Sequence, residues 1–172
     1  MHTHISRRAL IGAALVTLAS PAFAQPRDSW KRYVNDRFGV SIEYPSRFKP
    51  GRPPDNNDGQ SFAADDGATL SVWGSFNVQE HYIAALEADL RENPEPNEKI
   101  TYRAAGKNWL VLSGTQGDSV FYTRYLLSHR NEVKNGFRIT YPASLAATYD
   151  PIVTRIAKSL KPGRGWQTTG KP

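Results

Sequence analysis

The chain has 172 residues, with 22 Lys and Arg against 16 Asp and Glu, no cysteine, and 39% hydrophobic residues. This balance excludes wholesale disorder and a coiled coil. The lack of cysteine excludes disulfides, thiolate nucleophiles and zinc–thiolate or iron–sulfur sites. The length predicts one domain with a single hydrophobic core.

Residues 1–24 have the pattern of a signal peptide. Arg7 and Arg8 form a positive start without an acid, and residues 9–19 are an apolar run too short to span a bilayer. The triplet Ala22-Phe23-Ala24 supplies the small residues that a signal peptidase requires. We therefore expect cleavage directly after this triplet and a mature protein in the periplasm or outside the cell.

The export route stays open between the general secretory and the twin-arginine pathways, because residues 6–11 resemble a twin-arginine motif. No second apolar stretch of spanning length follows, so we expect no integral membrane segment in the mature chain. Loss of the two leader arginines lowers the net charge from +6 to +4. The remaining basic residues are scattered along the sequence, which argues against nucleic acid as a partner.

The first half of the mature chain predicts short strands, a long loop and a hairpin. Alternating Val40, Ile42 and Tyr44 indicate a half-buried strand. Four prolines among residues 45–60 predict a surface loop, and the pair Asp66-Gly67 predicts a hairpin turn. We expect strands at residues 30–35, 39–44, 60–64 and 68–76.

An amphipathic helix follows this hairpin. Asn77 is a candidate N-cap, with Glu80 three residues later in a box-like arrangement. The apolar stripe of this helix contains Ile83, Leu86 and Leu90. Asn93 and the proline after it are expected to end the helix.

The second half predicts a meander of strands and a second helix. Strands are expected at residues 99–104, 108–113, 119–129 and 136–141, and the apolar run 109–112 indicates a strand covered on both faces. Asp150-Pro151 predicts the start of the helix, and Pro162-Gly163 its end. Meandering strands favour antiparallel pairing, so the fold class is α+β, an antiparallel β-sheet flanked by two main α-helices.

Four segments resemble blocks of the PsbP-like domain family, namely RFGVSIEYP at residues 37–45, FYTRYL at 121–126, ITYP at 139–142 and YDPIV at 149–153. The likeness covers residues 30–161 and implies one α/β/α sandwich domain, with a flexible C-terminal tail at 162–172. It also implies a non-catalytic assembly or binding module. No metal-binding or partner-binding residue of the family can be placed on this chain.

The sequence carries no catalytic motif that we recognise. The predicted mature chain has two histidines, His81 and His129, without a second metal ligand at helical or strand spacing, and it has no GxSxG motif. The acidic segment at residues 55–59 departs from a calcium loop at its turn glycine, and the acids at 65 and 66 fit a turn. We expect no catalytic residues, no metal and no cofactor. An envelope hydrolase remains an alternative that requires one histidine near a serine or carboxylate in a cleft.

The aromatic pattern suggests a ligand site. Alternation along residues 68–76 places Trp73 on the same strand face as three small hydroxylated residues, Thr69, Ser71 and Ser75. A tryptophan in such a setting can floor a groove and stack on a planar or sugar-like ligand, and Arg103 and Arg124 can bind carboxylate or phosphate. In the alternative interpretation, Trp73 lies under a helix and each arginine covers apolar surface with its stem.

Two functions therefore stay open besides hydrolysis. The first is a binding or assembly module for a protein or envelope component. The second is a small-ligand carrier with a groove around Trp73, Arg103 and Arg124.

Overall fold

The computed structural model describes residues 28–164, so the predicted signal peptide at 1–24 and the tail residues 165–172 lie outside it. The described elements are β1 (Trp30–Val34), β2 (Ser41–Pro45), β3 (Lys49–Pro50), β4 (Gly59–Ala63), β5 (Thr69–Phe76), α1 (Ile83–Glu92), β6 (Glu98–Ala105), β7 (Trp109–Gln116), β8 (Ser119–Ser128), β9 (Val133–Pro142) and α2 (Ala146–Ser159). Within this part of the chain, neither helix is long and apolar enough to cross a membrane.

Seven strands form one antiparallel sheet in the order β3-β4-β5-β9-β8-β7-β6, and β1 pairs with β2 in a separate antiparallel ribbon. All neighbours in the large sheet are consecutive in sequence except β5 and β9, which pair over eight residues of each strand. That pairing brings the two halves of the chain together. The predicted α+β class, with a mostly antiparallel sheet and two helices, is confirmed.

The two faces of the large sheet pack differently. One face, here called the covered face, packs against α2 and β2 through a large apolar cluster that includes Leu70, Val72, Phe137, Ile139 and Ile156. The other, here called the open face, packs against α1 at β6, β7 and β8, through a smaller cluster that includes Ile83, Leu86, Leu110, Phe121 and Leu127. The strand register places Val72 and Phe137 on the covered face and Trp73 on the open face.

The predicted start of the first helix is wrong. Helix α1 begins at Ile83, with Tyr82 at its N-cap and no side-chain capping bond. Glu80 adopts a left-handed φ of 51°, which is incompatible with a helix. The physical reason is that the Asn77 side chain bonds to the neighbouring turn, as described below, and does not cap a helix.

The predicted start of the second helix is also wrong. Helix α2 begins at Ala146, after a short 3₁₀ turn, and Pro151 lies inside it. The Asp150 carboxylate accepts a hydrogen bond from the Tyr141 hydroxyl at 3.0 Å and caps no helix end. The helix continues through the proline because its apolar stripe, from Tyr149 to Ile156, is buried on the covered face.

Other boundaries differ by one to three residues from those predicted. The predicted loop at residues 45–60 contains the two-residue strand β3, which pairs with the end of β4. The apolar run in β7 behaves as predicted, since Leu110, Val111 and Leu112 are all buried although they alternate between the two faces.

Candidate functional site

A groove crosses the open face around Trp73. Trp73 lines one cleft of about 290 Å³, together with Thr123, Tyr125 and Arg138. It also lines a second cleft of about 310 Å³ towards β4. A third cleft of about 580 Å³ shares Ser61 and Ser71 with the second and extends to the β3–β4 edge. We call this continuous surface the Trp73 groove.

The indole of Trp73 rests on a glycine. Its cross-strand neighbours are Gly59 on β4 and Gly136 on β9. A Cβ atom on Gly136 would lie 2.6 Å from Cζ2 of the indole, so the ring packs directly against the backbone there. Glycine is required at this position because any side chain would occupy the space of the ring.

Tyr125 forms the wall beside this indole. Its ring meets Trp73 edge to face, with 5.7 Å between centroids and 69° between planes. Burial raises the pKa of the Tyr125 hydroxyl to about 12. Among residues 28–164, neither the Trp73 indole N–H nor the Tyr125 hydroxyl has a hydrogen-bond partner.

Arg138 lies in the same groove, and its charge is compensated. One nitrogen, Nη2, donates to Glu98 Oε2 and to Gln116 Oε1, both at 3.1 Å, and Nη1 donates to Thr123 Oγ1 at 3.2 Å. The guanidinium carbon lies 4.3 Å from the ring centroid of Phe121. The Glu98 side chain is only 7% exposed, so the groove contains a neutralised ion pair and no unpaired cation from Arg138.

The structure does not bring the three predicted ligand residues together. Arg103 is on the open face, but its guanidinium binds the Glu87 carboxylate of α1 at 2.7 Å. This hydrogen bond is the main reason why the pKa of Glu87 lies below its usual value. Arg124 points to the covered face, where Nη1 donates to the carbonyl of Ala157 at 3.1 Å and the guanidinium lies 5.5 Å from the Trp109 ring centroid.

The two histidines lie in connecting segments, His81 between β5 and α1 and His129 directly after β8. His81 precedes α1, and its Nδ1 is buried without a hydrogen-bond partner. His129 Nδ1 lies 3.0 Å from Ser128 Oγ, which also accepts a hydrogen bond from Asn135 at 2.9 Å. The contact that a hydrolase requires is therefore present, but neither Ser128 nor His129 lines the neighbouring cleft. In the described range, no group of three or more metal-ligating acids and histidines occurs.

A second exposed surface lies where the β5–α1 loop meets the β8–β9 turn. Phe76, Val78 and Tyr82 are 39%, 78% and 72% exposed, and they line a cleft of about 350 Å³ with Arg130 and Glu132. We call these three residues the apolar corner. The sequence assigned Val78 and Tyr82 to a helix, so their common exposure was not predicted.

Asn77 fixes the backbone of this corner. Its side chain is 4% exposed; Nδ2 donates to the carbonyls of His81 and Asn131, and Oδ1 accepts from the His81 N–H. The turn opposite contains three consecutive left-handed residues, His129, Arg130 and Asn131, with φ of 52°, 54° and 73°. One buried amide therefore holds two strained loops against each other.

Basic side chains that are scattered in the sequence meet at a third place. Arg32, Arg155, Lys158 and Lys161 line a cleft of about 260 Å³ with Glu43. Arg155 donates to the Glu43 carboxylate at 3.0 Å. The sequence did not reveal this cluster because the pairing of β1 with β2 and the packing of α2 bring its members together.

The fold of the chain resembles the folds of two solved structures. No protein-family model matches the chain, and no curated protein matches it. The solution structure of cyanobacterial PsbP (CyanoP) from Synechocystis sp. PCC 6803 matches with a TM-score of 0.55 and 13% identity, covering 84% of this chain and 98% of that one. The crystal structure of the Ran-binding protein Mog1p from Saccharomyces cerevisiae matches with a TM-score of 0.52 and 9% identity, covering 78% and 96%.

At these identities the likeness concerns the fold alone. Both matches span nearly the whole of the known structure and most of this chain. The chain therefore has the PsbP-like fold that its sequence motifs predicted.

Proposed function

We propose that this protein is an exported, non-catalytic binding module of the bacterial envelope that docks on a protein partner through the apolar corner. The observation that carries the proposal is the position of its exposed apolar side chains. Five large apolar residues are exposed in the described part of the chain, and three of them form the corner. Such clustering is typical of an interaction site, whereas single exposed apolar residues are ordinary.

The composition of the corner favours a protein partner. Phe76 and Tyr82 are aromatic, and the Arg37 guanidinium lies 5.9 Å from the ring centroid of Phe76. Aromatic residues and arginine are enriched in the centres of protein interfaces. The Asn77 side chain also joins the two loops of the corner, so binding of a partner costs little entropy for ordering the backbone there.

Fold relatives support a binding role. One of the two matching structures is a PsbP protein and the other is a Ran-binding protein. In this chain, Ser128 and His129 together with Asn135 connect the ends of β8 and β9, a structural role that needs no hydrolysis. Export rests on the signal-peptide pattern of residues 1–24.

The domain assignment belongs to this proposal. Residues 30–161 form one α/β/α sandwich, with α2 and α1 on opposite faces of the sheet, followed by the tail at 162–172. The placement of the two helices in different apolar clusters supports this arrangement.

Crosslinking of the exported protein in its own host, followed by mass spectrometry, tests the proposal. Val78→Glu combined with Tyr82→Ala should remove a specific crosslinked protein that the wild type yields. The matched control is Tyr102→Ala, which truncates an aromatic residue that is 56% exposed on edge strand β6 and should leave that crosslink intact. The same preparation should begin at Gln25.

Two results would overturn the proposal. One is a crosslink pattern that the folded corner variant shares with the wild type. The other is a protein that retains residues 1–24 and stays in the cytoplasm.

A small-ligand carrier is a second candidate function. The specific observation in its favour is the Trp73 groove, which is lined by Trp73 and Tyr125, whose indole N–H and hydroxyl have no hydrogen-bond partner among residues 28–164. Buried or half-buried tryptophan and tyrosine normally satisfy these groups.

A further inference from the structure

We infer that the Trp73 groove binds a neutral oligosaccharide, with one sugar ring stacked on the indole of Trp73. The inference deepens the small-ligand candidate and does not depend on the apolar corner. It rests on the support of the indole, on the pairing of every cation in the groove with an acid, and on the residues that neighbouring clefts share.

The indole is built as a rigid platform. A Cβ on Gly136 would lie 2.6 Å from Cζ2 and 2.9 Å from Cε2 of Trp73, so one side of the ring is supported by the sheet backbone. The edge-to-face contact with Tyr125 fixes the ring from the side. Trp73 is half-buried and lines two clefts, so the apolar C–H face of a pyranose can pack on the exposed part of the indole.

Three cations line the groove and each has an acidic partner: Arg138 pairs with Glu98 at 3.1 Å, Lys49 with Asp65 at 2.8 Å and Arg52 with Asp55 at 3.6 Å. The Arg138 guanidinium also donates hydrogen bonds to Gln116 and Thr123. A phosphate or carboxylate would therefore have to compete with a carboxylate for each of these cations, and its desolvation would be poorly compensated. Sugar hydroxyls both donate and accept, and they match the partnerless indole N–H and the Tyr125 hydroxyl.

The clefts favour a chain of sugars over a single one. Trp73 lines clefts on both of its sides, and Ser61 and Ser71 continue the second cleft into a third. A ligand stacked on the indole can therefore extend in both directions along the groove.

A peptide fits this surface less well. Extended peptides commonly bind by adding a strand to an exposed sheet edge. The floor of the Trp73 groove lies on β5 and β9, and β5 is paired with β4 on one side and with β9 on the other. Strand addition is therefore excluded on β5 and β9, where recognition must use side chains, and is open only where the groove reaches the β3–β4 edge.

Calorimetric titration of the purified exported protein tests the inference. The probes are tetramers of β-1,4-linked N-acetylglucosamine and of α-1,4-linked and β-1,4-linked glucose. We expect at least one to bind, and Trp73→Ala to weaken that binding by about tenfold or more. Tyr102→Ala, the control on the opposite side of the sheet, should bind as the wild type does, and so should the corner variant Val78→Glu.

Two milder variants keep the test decisive if Trp73→Ala does not fold. Trp73→Phe keeps a ring and removes the N–H, and Tyr125→Phe removes only the hydroxyl; each should weaken binding several-fold. The indole N–H signal of Trp73, assigned through Trp73→Phe, should shift on addition of the sugar in a ¹H–¹⁵N spectrum.

Three results would contradict sugar binding in the Trp73 groove. Absence of binding of all three tetramers at millimolar concentration would overturn the inference, as would sugar binding that is unchanged in both Trp73→Phe and Tyr125→Phe. Binding of an unstructured peptide in the groove, with no response to sugars, would also overturn it. Because the Val78→Glu variant separates the two surfaces, either proposal can fail without the other.

Discussion

The two faces of the large sheet are made by the same strands and differ in what their side chains do. On β5 and β9 the covered face presents Leu70, Val72, Phe137 and Ile139, each at most 1% exposed. Between them, the open face presents Ser71, Trp73 and Arg138, all half-buried in clefts. Alternate residues of one strand therefore stabilise the fold or form a binding surface, so substitutions at neighbouring positions should affect different properties.

The largest expected difference is between Leu70→Ala and Ser71→Ala. Leu70 is fully buried, so its truncation should lower the free energy of unfolding by about 2–5 kcal/mol. Ser71 faces the groove, and its truncation should change that free energy by less than about 1 kcal/mol. Urea unfolding followed by circular dichroism measures both. Equal losses in the two variants would mean that the open face is as well packed as the covered one.

A smaller effect is expected from Gly136→Ala, which tests whether the Trp73 ring packs directly against the sheet backbone at position 136. The new Cβ would lie 2.6 Å from Trp73 and 2.9 Å from the carbonyl oxygen of Arg124, so ring and backbone must both shift. We expect a loss of about 1–3 kcal/mol in the free energy of unfolding and a displaced indole N–H signal. Gly51→Ala is the control, since its nearest neighbour would be 3.5 Å away. An unmoved indole signal in Gly136→Ala would contradict the described packing.

The smallest effect concerns pH. Burial raises the pKa of Tyr125 from 10.0 to about 12, so the folded state holds this proton more tightly than the unfolded state. Its contribution to stability is complete below pH 10 and is lost as the pH rises towards 12. Between pH 10 and 11 the wild type should lose about 1 kcal/mol more than Tyr125→Phe. Parallel unfolding curves of the two proteins over this range would contradict the burial of Tyr125.

The sequence was enough to predict which residues of one strand share a face, but it was not enough to predict which distant strands pair. The alternation along residues 68–76 correctly predicted that Trp73 shares a strand face with Ser71 and Ser75, because the two-residue period of a strand depends only on the neighbouring sequence. The neighbours of Trp73 across the sheet depend on the register between β5, β9 and β8. For that reason Arg138 and Tyr125 were not predicted to lie beside it, and Arg124 was grouped with a residue on the other face.

The two predicted helix N-caps were wrong for a related reason. Asn77 and Asp150 both have the residue type of a helix N-cap. In the folded chain Asn77 bonds to the carbonyl of Asn131, and Asp150 accepts from Tyr141. These partners are distant in sequence or on another element, and their hydrogen bonds override the local preference. The first of these errors concealed the apolar corner, because it placed Val78 in a regular helix.

Site-specific photocrosslinking in the host tests the central claim most directly. A photoreactive amino acid at position 78 of the exported protein should yield one reproducible crosslinked protein, and the same residue at position 102 should not. An equal yield from both positions, or no crosslinked protein from position 78 in a folded and exported product, would contradict a docking role for the apolar corner.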